Sequence, residues 1–456
     1  MAKLHRILLV VDVYPPARVG GATVYTVNLA EQLVKMGLEA EVLCAGSWES
    51  GEAHFNGMTE ETRNGVKIYR IYLNWRKAPA PFDYLYDNVT LAPVFREFLL
   101  EHHPDVVHIN SCLTLSARVI EEAQRLGIPT VLHLHDFWFL CALQNLVRKD
   151  GSICYGPESP WDCQRCILAG ATALRWSERV MPAALQRQLF TVAGRVAWVT
   201  RLPGLIGMSG DMERRQTYLR QLLEAINVVV APARFSLELF ARHGFNTERF
   251  IYSILGFDTA WAAHVQHTPS LSVRFGYIGN IQRIKGVHVL VEAFNALPAN
   301  VAAELFIYGD PTQDVTYVES LKARSNPKIH WMGVFARAQL PEVMSALDVI
   351  VVPSICHEVN PTVIKEAFAA RLPVIASDQG STNEMIVEGV NGLSFRAGDV
   401  GDLKAKMLVM VNEADVWTRV QDAIPKLKTV EQEGLEMKSI YEACMREKAA
   451  VNFQLH

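Results

Sequence analysis

Residues 349–370 read VIVVPSICHEVNPTVIKEAFAA, and the succession of residue types there decides what the chain can be. Val349–Val352 is an unbroken β-branched run, which predicts a strand covered on both faces. Pro353 and Ser354 end it, and Asn360-Pro361 predicts a helix start after a short loop. Asn360 suits the N-cap, and Pro361 suits the first helical position, where its missing N–H costs nothing. Val363, Ala367 and Ala370 then form an inward stripe. The backbone N–H groups of Thr362 and Val363 point out of the helix end at positive potential, which suits an anion such as a diphosphate. Glu358 in the loop and Glu366 within the helix stand where carboxylates could grip hydroxyls beside that anion. Such a unit lies at the carboxyl edge of a parallel sheet, where α/β proteins bind ligands.

The stretch resembles the Glu-x7-Glu motif of retaining nucleotide-sugar glycosyltransferases with the GT-B fold, the family that includes sucrose synthase. The resemblance continues, in the family's order, through ILLVVDVYPPARVGGATVY (7–25), HLHDFW (133–138), NVVVAPARF (227–235) and GFD (256–258). It resumes at GNIQRIKG (279–286), LFIYGD (305–310) and PVIASDQGSTNEMIVEGVNGLSF (373–395). It implies an α/β fold of two doubly wound, Rossmann-like parallel-sheet domains facing across a cleft. The first would span 1–265, with an insertion at about 137–208, and the second 266–432. Residues 433–456 would form a helix returning to the first domain.

Composition agrees with two such domains. The chain has 456 residues, too many for one ordinary core, and 50% are hydrophobic against 20% charged, as in a globular enzyme. A net charge of −4 without basic or low-complexity tracts argues against nucleic-acid binding. The first apolar run, Ile7–Val11, breaks at Asp12 and reads as a strand, not a signal peptide, and no apolar segment approaches the length of a membrane span. The expected location is the cytosol, extending to the inner face of a membrane.

Ile7–Val13 predicts a first strand, with a helix to about Met36 stopped by Gly37 and a second strand at Ala40–Cys44. Gly20 and Gly21, in the loop between, would let backbone approach a phosphate or sugar closely. Residues 46–65 read as a loop or hairpin. Phe82, Tyr84 and Tyr86 leave two readings open: stacking on an acceptor sugar, or packing of their own loop. Further on, Val287, Leu290, Val291 and Phe294 mark a core-facing helix after the loop 279–286.

The resemblance assigns roles residue by residue. His135 would hydrogen-bond the donor sugar, with Asp136 orienting it. Lys285 would neutralise the diphosphate together with the tip of the Pro361 helix. Glu358 would hold the sugar's hydroxyls near the reacting centre, Glu366 the ribose diol, and the backbone at Val334 the base. Two departures stand out. Asn280 occupies the place of the family's usual Arg, making Arg283 the candidate replacement cation, and Ala233 replaces a usual Ser. The expected activity is retaining transfer of a hexose-type sugar from a nucleoside diphosphate donor, UDP or GDP, to a saccharide or lipid-linked acceptor. No cofactor is needed for transfer itself. The alternatives are a non-catalytic binding subunit of the same fold, or a GT-B epimerase or phosphorylase.

Two features of the insertion stand outside those roles. Cys141, Cys154, Cys163 and Cys166 follow the order Cys-x12-Cys-x8-Cys-x2-Cys, the ligand inventory of a structural Zn(II) knuckle. An iron–sulfur cluster would use the same thiolates, and four unrelated core cysteines remain the plain alternative. Cys44, Cys112, Cys356 and Cys444 read as core or incidental thiols. Residues 174–208 are apolar and carry Arg175, Arg179, Arg187, Arg195 and Arg201 beside Trp176, Phe190 and Trp198. That composition fits either an interfacial helix on anionic lipid or an insertion packed on its own domain or a partner subunit. Packing is preferred, because apolar insertions usually pack.

Overall fold

The computed structural model describes residues 3–17, 20–169, 171–196, 198–202, 205–208 and 210–454. By internal packing it divides into two units. One comprises Met1–Pro232, Ser236–Leu255 and Val430–His456; the other comprises Ala233–Phe235 and Gly256–Thr429.

The first unit is built on eight strands: β1 (Arg6–Val10), β2 (Glu39–Ser47), β3 (Phe55–Arg63), β4 (Val66–Leu73), β5 (Val106–Ile109), β6 (Thr130–His133), β7 (Val228–Ala231) and β8 (Phe250–Tyr252). They lie in the order β3-β4-β2-β1-β5-β6-β7-β8, parallel except for the β3–β4 pair. The first strand is shorter than its apolar run predicts, since Val11 lies beyond the ladder although buried. β3 and β4 form a hairpin whose second strand extends past the expected loop. Asn64 (φ 50°) and Gly65 (φ 81°) make its turn, a two-residue Asn-Gly connection suited to the twist of paired strands. Phe82 and Tyr86 are buried, so of the two readings for that segment the packing one fits.

The helix Val430–Gln454 completes this unit. Met437, Ile440, Tyr441 and Cys444 enter one core with Leu29 and Leu33 of the helix Gly21–Lys35. Polar bonds fix the register: Tyr25 OH donates to Glu433 Oε1 (2.6 Å), and Tyr441 OH lies 2.7 Å from His108 Nδ1. Burial pushes the His108 imidazole down to about 3, so it stays neutral in this apolar setting.

The second unit carries β9 (Val273–Ile278), β10 (Ala303–Tyr308), β11 (Ile329–Gly333), β12 (Val349–Val352), β13 (Val374–Ser377) and β14 (Gly392–Phe395). The order is β11-β10-β9-β12-β13-β14, all parallel. From β9 the chain winds outward through β10 and β11, then returns to β12 and winds the other way. β9 and β12 are therefore neighbours at the point where strand order reverses. Alternate residues of β12 explain its unbroken hydrophobicity. Val349 and Val351 pack with Phe275, Leu290 and Phe294, whereas Ile350 and Val352 pack with Ile364, Ala367 and Phe368.

The helix after β12 spans Thr362–Ala369. Its cap is Pro361, not Asn360: Pro361 has extended geometry and its carbonyl accepts from Ile364 N–H (3.1 Å). Ile364, Ala367, Phe368 and Ala370 are buried in one core and the half-buried Val363 packs against it, so the expected Val363–Ala367–Ala370 line faces inward, with Ile364 and Phe368 beside it.

Candidate active site

Lys285 and Glu358 leave the sheet on different strands and meet at its point of reversal. The loop after β9 ends in the single turn Arg283–Lys285. The loop after β12 docks on that turn, with the N–H groups of Ile355 (2.9 Å) and Cys356 (3.3 Å) donating to Ile284 O. Gly286 permits the approach: it sits at φ 70°, and a Cβ there would fall on the carbonyl of Pro353. Lys285 Nζ then donates to Glu358 Oε1 at 2.6 Å, and Ser354 Oγ donates to the same oxygen at 2.7 Å.

The electrostatics follow from that enclosure. Burial alone would raise the Glu358 pKa, but the Lys285 charge and the bonds from Lys285 and Ser354 outweigh it and hold the carboxyl below its usual range. Burial would likewise lower Lys285, and Glu358 more than offsets it, leaving the ammonium raised. Both groups are charged at neutral pH. Glu358 is also held through its backbone, its carbonyl accepting from Ser381 N–H (2.9 Å) in a bridge to Gly380.

Glu366 is buried, one turn into the helix, and pairs with Arg337. Burial pushes its carboxyl up, and Arg337 only partly counteracts this. The Arg337 side chain remains 55% exposed and rests over Trp261 with its guanidinium 6.0 Å from the ring centre.

Other expected residues sit less centrally. The Arg283 guanidinium lies 5.0 Å from the Tyr317 ring centre. Asn280 accepts from Tyr277 OH through its carbonyl (2.6 Å) and from Gln313 through its side chain (3.2 Å). Val334 is exposed after β11. Asn360 and Thr362 are half-buried at the helix entrance.

His135, Gly20 and Gly21 belong to the first unit. His135 Nε2 stands 3.2 Å from Asn110 Oδ1, and the ring leans on Tyr25 (5.0 Å between centres) and His133 (5.4 Å). Gly20 and Gly21 are exposed before and at the start of their helix, and a Cβ on Gly20 would meet nothing within 4 Å, so packing does not demand glycine there. Asp136 accepts from Trp138 N–H (2.8 Å), yet burial and the neighbouring Asp12 charge push its carboxyl up to about 7.

Two family profiles match the chain. One, described as "Glycosyl transferase 4-like domain", covers residues 20–201; the other, "Glycosyl transferases group 1", covers residues 272–413 and with it the whole Lys285–Glu358–Glu366 constellation.

The chain belongs to the group 1 glycosyltransferases.

This glycosyltransferase is 23% identical over 427 residues to the alpha-maltose-1-phosphate synthase of Mycolicibacterium smegmatis, covering 89% of each chain. It is 26% identical over 124 residues to spore coat protein SA of Bacillus subtilis, where the match takes in 25% of this chain and 33% of that protein. Among solved structures it matches HepE of Anabaena in complex with UDP and glucose (TM-score 0.61, 17% identity, 96% of this chain and 100% of that one). It also matches the catalytic domain of starch synthase IV from Arabidopsis thaliana bound to ADP and acarbose (TM-score 0.64, 13% identity, 98% and 100%). The glycosyltransferase has the GT-B fold.

Cys141, Cys154, Cys163 and Cys166 line one cavity of about 30 Å³ and form no disulfides. Among the described residues no group of three or more His, Cys, Asp or Glu side chains is arranged to hold a metal ion. Cys44, Cys112, Cys356 and Cys444 are buried.

Sequence reasoning missed Ser354, Gly380 as the seat of Glu358, and Arg337. Ser354 carries a signal, being the first polar residue beyond a buried strand. Arg337 carries none, because it is 29 residues from its partner.

Proposed function

We propose that this glycosyltransferase moves a hexose-type sugar, with retention of configuration, from a nucleoside diphosphate sugar to a hydroxyl of a saccharide or lipid-linked saccharide. The ion pair of Lys285 with Glu358 at the sheet's reversal, beside the open N-terminus of the helix Thr362–Ala369, carries the proposal. UDP beside HepE and ADP beside starch synthase IV support a nucleoside diphosphate leaving group.

In this scheme the barrier lies in breaking the bond between the anomeric carbon and the donor phosphate oxygen. The bonding pair leaves with the diphosphate while positive charge grows on the sugar. Lys285 has further N–H bonds to give beyond the one on Glu358, and the N–H groups of Thr362 and Val363 aim at the same anion. Such preorganised donors stabilise charge as it develops. Glu358 holds the sugar's hydroxyls, Glu366 the ribose diol and Val334 the base, while Asn360 and Pro361 shape the helix entrance. The acceptor oxygen bonds to the anomeric carbon from the side the phosphate leaves, and its proton passes to a phosphate oxygen. Arg283 adds positive charge if it leaves Tyr317. The scheme uses no divalent cation, since Lys285 and the helix tip answer the diphosphate charge.

We also propose that Cys141, Cys154, Cys163 and Cys166 hold a structural Zn(II), drawn together when the ion binds. Four soft thiols on one cavity are the donor set that Zn(II) favours.

The test of the main reading is a panel of UDP-, GDP- and ADP-sugars scored by thermal stabilisation, followed by anomeric assignment of the product by NMR. One class of donor should stabilise the protein and give a retained linkage. Stabilisation by none, or an inverted product, would contradict the proposal. Stabilisation without release of nucleotide would favour a binding subunit.

A further inference from the structure

The helix Met212–Glu224, which leads back into β7, packs on the helix Pro160–Leu168 that carries Cys163 and Cys166. Two consecutive residues of it bear on the cysteines. Gln216 Nε2 donates to Cys163 Sγ at 3.6 Å. Arg215, the residue before it, is only 3% exposed. Its Nη2 donates to the carbonyl of Trp138 at 2.6 Å, and the guanidinium lies 5.5 Å from the centre of the Trp138 ring. Its Nη1 is buried and has no hydrogen-bond partner. Among the described residues no ion pair includes Arg215. A cation taken out of water without an opposite charge is costly, so its balance has to come from the groups around it.

The strongest fields on Arg215 come from Cys141 and then Cys163, ahead of Tyr86 and Asp136. A thiol is neutral until it loses its proton. The sulfurs are nonetheless set among donors that a thiolate would use. The backbone N–H groups of Leu146 and Leu143 turn toward Cys141, and that of Lys149 toward Cys166. Arg148 also faces Cys166, but Asp150 opposes it. Glu158 and Asp162 on the cavity wall add negative charge, which sharpens the need for a cation beside any thiolate formed there. Zn(II) on the four cysteines would form them: each thiol gives its proton to solvent, and four thiolates on one divalent ion leave a centre of net charge two minus.

We infer that Arg215 is the built-in counter-ion of a zinc–thiolate centre formed by Cys141, Cys154, Cys163 and Cys166, with Gln216 as a hydrogen-bond donor to one of its sulfurs. The inference rests on the zinc site proposed above and names the residues that set its affinity. Groups behind a metal's ligands orient them and tune how tightly the ion is held.

The full chain is loaded with Zn(II), and its affinity is read by competition with a chromophoric chelator for the wild type, Arg215→Lys and Arg215→Gln. Both substitutions keep an N–H donor for the Trp138 carbonyl, and only the first keeps the charge. Arg215→Lys should stay within a few fold of the wild type, whereas Arg215→Gln should hold zinc about 10–100-fold more weakly. Melting temperatures separate charge from packing. Without zinc, Arg215→Gln should be no less stable than the wild type, since it removes an unpaired buried charge; with zinc it should be less stable. Equal zinc affinity in the wild type and Arg215→Gln overturns the inference and leaves the zinc site standing. So does an Arg215→Gln protein that loses as much stability without zinc as with it, or that fails to fold without it, since packing alone would do that. A wild type that takes up no zinc overturns both.

Discussion

Lys285 Nζ and Glu358 Oε1 stand 2.6 Å apart, joining the loops that leave neighbouring strands where the second sheet reverses its winding. Removing one member leaves the other charged and half-buried. Lys285→Ala should therefore lose transfer by at least about two orders of magnitude, the scale of one lost charge-stabilising donor. It should also destabilise the second unit by about 1–3 kcal/mol, because a partly desolvated charge without its partner is costly. Lys285→Ala/Glu358→Gln should recover much of the stability and none of the turnover. Melting curves and nucleotide release measured on all three variants check this.

Gly380 is the backbone seat of Glu358. It sits at φ 60°, and a Cβ there would stand 2.7 Å from Glu358 O and 2.9 Å from Glu358 N. Gly380→Ala should push the carboxylate away from Lys285 and cost about 1–3 kcal/mol in strain. A fall in melting temperature together with a fall in kcat is expected. Wild-type turnover would show that Glu358 tolerates displacement.

Asp136 gives a pH dependence of known sign. Its carboxyl is pushed up to about 7 by burial and by Asp12, against roughly 3.9 when unfolded. The folded protein therefore holds this proton more firmly. The stability it contributes is full below about pH 4 and is lost as pH rises to 7. Asp136→Asn keeps an acceptor for Trp138 N–H and never ionises. Its melting temperature should match the wild type below about pH 4 and exceed it at pH 8 by several degrees, at roughly 2–4 °C per kcal/mol. Equal melting temperatures at pH 8 would mean that the carboxyl is not perturbed.

The four cysteines on one cavity predict a stoichiometric metal. Protein purified without chelator should carry one zinc per chain, and chelation should lower its melting temperature and expose four titratable thiols. Metal-free protein of unchanged stability would leave Cys141, Cys154, Cys163 and Cys166 as packing residues.

Much of this was legible in the sequence, for reasons that differ from element to element. The strand Val349–Val352 could be read because a β-branched run has few other uses, and the resemblance placed Lys285 and Glu358 in one site. Helix limits shifted by a residue, since Asn360 and Pro361 can both begin a helix, whereas the apolar spacing had already given the inward face. The strand Val66–Leu73 was announced by Asn64-Gly65, a hairpin signal that the polar run around it obscured. Arg337 was invisible, because its tie to Glu366 is made by tertiary approach and not by spacing. The exposure of Leu185, Leu189 and Val192 on the helix Ala183–Gly194 was equally hidden, because composition cannot say which side of an apolar helix is left uncovered.

A crystal structure of the protein with the nucleoside diphosphate that stabilises it most would test the central claim directly. The account predicts the diphosphate within hydrogen-bond distance of Lys285 Nζ and of the N–H groups of Thr362 and Val363, with Glu366 on the ribose. A nucleotide bound elsewhere, leaving Lys285 turned only to Glu358 and the helix tip unengaged, would contradict it.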